Sequence, residues 1–105
     1  MKIVFDQGTP APLRRSLSDY EVSTAYELGW SSLKNGDLIR LAETQGFDVL
    51  VTTDSNLKYQ QNLAGRKIAI VVLLSTSWPR IQQRTQLIAQ RISGMSAGGF
   101  IEIPI

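Results

Sequence analysis

A chain of 105 residues suits a single domain, and 43% hydrophobic with 19% charged residues fits a folded globule rather than a disordered chain. With no cysteine and no histidine, disulfides, thiolate chemistry, the usual zinc ligands and the commonest general base are all excluded. The net charge of +2 and a pI near 9.2 are compatible with a nucleic-acid partner without being a sign of one.

Residues 2–5 are mostly apolar, as in a strand buried on both faces, and the run stops at Asp6. Gln7-Gly8-Thr9-Pro10 reads as a turn, with Thr9 as helix cap and Pro10 at the first helical position. A short helix over 10–17 carries Arg14 and Arg15. Residues 21–25 form a second, less hydrophobic strand suited to a sheet edge. Residues 26–34 resist assignment: Gly29 interrupts them and Trp30 needs cover. Asn35-Gly36-Asp37 opens a helix over 38–45, with Leu38, Leu41 and Ala42 on one face and Gly46 as its terminating glycine.

Residues 48–53 are the third strand, ending at Asp54. A short, polar helix is expected over 55–63. The fourth strand, 68–74, is the most hydrophobic stretch and is far too short to cross a bilayer. Ser77 and Pro79 start a helix running to about residue 93, with Ile81, Thr85, Ile88 and Ile92 on its buried face. After Ser96-Ala97-Gly98-Gly99, residues 100–105 give a last strand with Pro104 suited to an edge. No secretory leader or membrane segment is expected, and the cytoplasm is the expected compartment.

Strands alternating with helices predict an α/β fold: a three-layer sandwich with a mainly parallel central sheet, formed by residues 1–105 as one domain. Right-handed crossovers and hydrophobicity suggest the order 2-1-3-4 with the fifth strand outside. Strands 1 and 3 then flank the point where the winding reverses, and ligands of such sheets bind there, at the strands' carboxyl ends. Asp6 and Asp54 are the residues expected at that place.

An acid at the mouth of a central strand is costly unless paired or bound. The plain alternatives are a turn carboxylate bonding its own backbone for Asp6, and a helix cap for Asp54 and for Asp37. Asn56, two residues past Asp54, is either a turn residue or an amide that orients water. Acids converging without histidine or cysteine point to an oxygen-ligated Mg²⁺ or Mn²⁺, which lowers the pKa of a bound water and neutralises phosphate charge. Arg14, Arg15, Lys34 and Lys58 are the cations placed nearest the site, suited to a substrate phosphate. Arg80, Arg84 and Arg91 share a helix face that is either solvated or in contact with phosphates or an acidic partner. The aromatic residues Tyr20, Tyr26, Trp30, Tyr59 and Trp78 read as core or rim, with base stacking an alternative for Tyr59 and Trp30.

Three segments resemble the PIN-like family: Ile3-Val4-Phe5-Asp6, the run from Asn35-Gly36-Asp37-Leu38 to Ala42, and Val49-Leu50-Val51-Thr52-Thr53-Asp54-Ser55-Asn56-Leu57. More closely they resemble its small DUF5615 branch, found in bacterial toxin–antitoxin pairs. The resemblance implies a metal-dependent endoribonuclease acting on RNA. Asp6, Asp37 and Asp54 would be the Mg²⁺ or Mn²⁺ ligands, and Asn56 would stand where many members carry a further acid or amide. The glutamate that full-length members supply from an additional helix has no counterpart among Glu21, Glu27 and Glu43. The partners implied are RNA and a cognate antitoxin protein, with a homodimer left open. The rivals are a catalytically inactive PIN-like module that binds protein, and a receiver-like signalling domain. A receiver needs a second acid beside Asp6, where Gln7 stands, and a lysine after the last strand, where none occurs.

Overall fold

The computed structural model of the chain describes residues 1–57 and 65–105. Within them, β1 (Lys2–Phe5), β2 (Glu21–Thr24), β3 (Val49–Thr52), β4 (Ala69–Leu73) and β5 (Phe100–Ile103) form one sheet in the order β2-β1-β3-β4-β5. Every neighbouring pair is parallel. A parallel strand covered by helices on both faces needs apolar side chains on both. Ile3, Val4 and Phe5 of β1 and all residues of β3 and β4 are accordingly buried. The two edge strands, β2 and β5, are only half covered.

Alternation along the strands divides the core. Ile3, Phe5, Val49, Val51, Val71 and Leu73 face a layer made by the 3-10 helix Ala11–Leu17, α2 (Trp78–Gln82) and α3 (Thr85–Ser93). These helices contribute Leu13, Leu17, Ile81, Ile88 and Ile92. On the opposite face Val4, Leu50, Ile70 and Val72 meet Leu38, Ile39 and Ala42 of α1 (Asn35–Thr44). The expected three-layer α/β sandwich is therefore present, with strand side chains alternating between the two faces of a sheet that is apolar on both.

Two glycines shape the connections. Gly46, at φ +83°, ends α1: its N–H donates to the Glu43 carbonyl at 3.1 Å, and the Phe47 N–H donates to that of Ala42 at 3.0 Å. This paired arrangement suits a residue free of a Cβ. Gly98, at φ +75°, passes so close to the turn before β4 that a Cβ would lie 2.5 Å from the Arg66 carbonyl oxygen.

Several local expectations change. The short helix expected over 10–17 is the 3-10 helix Ala11–Leu17, and Pro10, not Thr9, occupies the cap position; the Thr9 hydroxyl is used elsewhere. On α1 it is Ile39 rather than Leu41 that is fully buried beside Leu38 and Ala42. The helix expected up to residue 93 is broken at Gln83 and Arg84, where i to i+3 hydrogen bonds close α2. A single straight helix would diverge from a twisted sheet. Two short ones each seat their own isoleucines against it. Most of the helix expected over 55–63 lies outside the described residues. No helix among the described residues is long and apolar enough to cross a membrane.

Candidate active site at the carboxyl edge of the sheet

The register pairs Phe5 with Val51, so β1 and β3 end side by side. Asp6 extends this ladder by one bond, its N–H donating to the Val51 carbonyl at 3.0 Å. Its half-buried carboxylate is then gripped by two threonine hydroxyls. Thr9 Oγ1 donates to Asp6 Oδ1 at 2.7 Å, and Thr52 Oγ1 donates to Asp6 Oδ2. Both threonines are buried. The Thr9 hydroxyl also lies 2.9 Å from the Val51 carbonyl, so its one proton is shared between two acceptors.

Thr52 joins this group to the second acid. The oxygen that donates to Asp6 accepts the N–H of Asp54 at 3.1 Å. Asp54 in turn accepts on both carboxylate oxygens. The Asn56 N–H donates to Oδ1 at 2.9 Å, closing an Asx turn, and the Asn35 side-chain amide donates to Oδ2. Asn35 is the first residue of α1, so the helix start is tied directly to the end of β3. The sheet edge thus carries one continuous network through Thr9, Asp6, Thr52, Asp54 and Asn35.

The other expected site residues lie as follows. Asp37 is exposed and pairs with Arg40 within the first turns of α1. It is Asn35, two residues earlier, that turns toward Asp54. Among the described residues no three His, Cys, Asp or Glu side chains are grouped to hold a metal ion. Asn56 is exposed and enters the network through its backbone. Arg14 forms a two-pronged ion pair with Glu27, rather than standing open toward a phosphate. Arg15 and Lys34 are exposed, and Lys58 lies outside the described residues. Trp30 packs edge-on against Phe47 at 5.8 Å on the α1 side of the core.

Glu27 is held by more than Arg14. Its carboxylate also accepts the Thr24 N–H at 2.9 Å, and its own N–H donates to the Thr24 hydroxyl at 3.1 Å. The hydrogen bond from Arg14, then that from the Thr24 backbone, lowers the Glu27 pKa to about 2. The same pairing raises that of Arg14.

Among the described residues, two of the clefts lie at opposite ends of the strands. One, of about 360 Å³, lies at the amino ends and is lined by Met1, Asp48, Lys67 and Met95 among others. The other, of about 380 Å³, adjoins the acid network and is lined by Asp6, Gln7, Gly8, Thr9, Thr24 and Tyr26 among others. Only the second contains a member of that network.

Mg²⁺ is commonly held by one or two carboxylates and several waters. The donors here fit such an ion. Among the described residues, each oxygen of Asp6 and Asp54 accepts one side-chain or backbone hydrogen bond, which leaves a lone pair on each for an ion. The threonines and Asn35 fix the rotamers that would present those lone pairs. No family model, curated protein or solved structure matches the chain.

Proposed function

We propose that this chain is a PIN-like, metal-dependent endoribonuclease of the cytoplasm, acting as the toxin of a toxin–antitoxin pair. The observation that carries the reading is the coupling of Asp6 and Asp54 through Thr52, at the point where the strand order reverses. Two carboxylates are thereby fixed at one edge of the sheet, and among the described residues no basic side chain joins their hydrogen-bond network. Bound there, Mg²⁺ or Mn²⁺ supplies an acidified water and charge neutralisation for phosphodiester hydrolysis.

The chain's own residues do the rest of the work. Asp6 and Asp54 hold the ion, while Thr9, Thr52 and Asn35 fix their orientation. In this reading the site rests on two acids; Asp37 would join them only by releasing Arg40. The antitoxin is a proposed protein partner, and RNA the proposed substrate.

Asp54→Asn preserves the shape of the side chain and its contact with the Asn56 N–H. It is expected to leave the fold intact and abolish Mn²⁺-dependent RNA cleavage. Equal cleavage by the unaltered protein in excess EDTA would overturn the mechanism.

The strand order β2-β1-β3-β4-β5 also favours a second reading, because receiver-like domains share it. Gln7 after Asp6 and the lack of a lysine in β5 weigh against it. Stable labelling of Asp54 by a small phosphodonor would establish it instead.

A further inference from the structure

The cleft at the amino ends of the strands is remote from the acid network, and the ribonuclease reading makes no use of it. At about 360 Å³ it is within the range of small-ligand sites. Its floor is apolar. Val49 and Ala69, which are partners across β3 and β4, both line it. So do Met1 and Met95, the two methionines of the chain. Unbranched thioether side chains adapt to the outline of a ligand where a stiffer residue would not.

The same cleft carries one exposed charge of each sign, Asp48 and Lys67. Asp48 is pinned by the sheet. Its N–H donates to the Lys2 carbonyl at 2.8 Å, and its own carbonyl accepts the Ala69 N–H at 2.9 Å. Its Oδ2 accepts the Lys2 N–H at 2.8 Å, which holds the carboxylate at the strand end. Lys67 springs from an equally fixed backbone. Its N–H donates to the Glu43 carboxylate at 3.1 Å, and its carbonyl accepts the Gly98 N–H at 2.8 Å. That second bond also ties the connection carrying Met95 to the cleft. Among the described residues the ion pairs are Arg14 with Glu27 and Arg40 with Asp37. Asp48 and Lys67 therefore share a cleft without neutralising each other.

An apolar floor with an unpaired anion and an unpaired cation is complementary to a molecule that carries both charges beside an apolar group. We propose that this cleft binds a free apolar α-amino acid. Its ammonium meets Asp48, its carboxylate meets Lys67, and its side chain rests on Val49, Ala69 and the two thioethers. A peptide terminus presents only one of the two charges and leaves the other residue unanswered. The proposal is independent of the ribonuclease reading, since the two sites lie at opposite ends of the strands.

The methionine methyl groups give a direct test by nuclear magnetic resonance. In protein isotope-labelled at those methyls, both resonances are expected to move saturably on titration with L-leucine. Glycine lacks the apolar side chain, isocaproate the ammonium and leucinamide the carboxylate. Each is expected to bind at least about fivefold more weakly than leucine. Asp48→Asn should erase the advantage of leucine over isocaproate, and Lys67→Gln its advantage over leucinamide. Both side chains are exposed, so circular dichroism of each variant should match that of the unaltered protein. Methyl resonances that stay in place up to the solubility limit of leucine would overturn the proposal. So would equal affinity of the unaltered protein for leucine and either singly charged analogue, the result expected of a site for a peptide terminus.

Discussion

At the scale of single residues, the hydroxyl of Thr52 has the most consequential position. One oxygen donates to Asp6 and accepts from the backbone of Asp54, inside a side chain that is almost wholly buried. Thr52→Val keeps the shape and removes both bonds, leaving a half-buried N–H and a carboxylate oxygen short of a partner. The expected cost is about 1–3 kcal/mol in urea unfolding, together with a clear loss of Mn²⁺ affinity by calorimetry. Thr52→Ser, which keeps the hydroxyl, should lose less metal affinity. Unchanged affinity in the valine variant would separate Thr52 from the site. Asp6 and Asp54 were legible in the sequence because each interrupts an apolar run. Thr9 and Thr52 were not. A threonine at a strand end already satisfies β propensity, and nothing in its spacing announces a hydrogen bond. The choice between Asn35 and Asp37 was hidden for another reason. Which of them turns to the sheet depends on where α1 begins, and it begins at Asn35 rather than after Asp37.

At the scale of elements, the connection between β2 and α1 is held by Glu27 and Arg14, thirteen positions apart in the chain. Partners so distant cannot be paired from spacing alone, which is why Arg14 looked available for phosphate. The pairing has a pH signature. The Glu27 pKa falls from 4.5 to about 2 on folding. Its contribution to stability is therefore fully present above about pH 5 and is lost as the pH falls through 4.5 toward 2. Glu27→Gln should flatten that part of the profile of urea midpoint against pH, leaving other acids to set the remainder. Because the pair is solvent-exposed, added salt should shrink the difference between the two proteins. Identical profiles would show that the brace carries no measurable stability. The strands were easy to read for the opposite reason. The runs in β1, β3 and β4 are continuous and apolar, and continuity depends on no distant partner. The break between α2 and α3 was not, since residues 83–84 contain neither proline nor glycine to mark it.

At the scale of the whole molecule, the sheet is protected at its β4 side by one short strand. β5 pairs with all of Ile70 to Leu73, and its Ile103 is buried in the core. Removing residues 100–105 would leave β4 as an apolar edge with unpaired backbone groups, which is a template for association between copies. Such a protein is expected to run as soluble aggregates on size-exclusion chromatography, where the full chain elutes as a discrete species. Discrete elution of the shortened chain would mean that the helices alone shield β4. The strand order itself was readable from the sequence through crossover handedness and hydrophobicity. Which edge the fifth strand joins emerged from the register with β4.

The uniform direction of the strands has a practical corollary. The chain enters at the rim where Met1 lies and, after β5, leaves at the opposite one. Anything appended after Ile105 starts on the same side as Asp6, only three strand spacings away, or roughly 14 Å. An affinity handle fused there would start from the rim that carries the acids, whereas the same handle ahead of Met1 would hang from the far side.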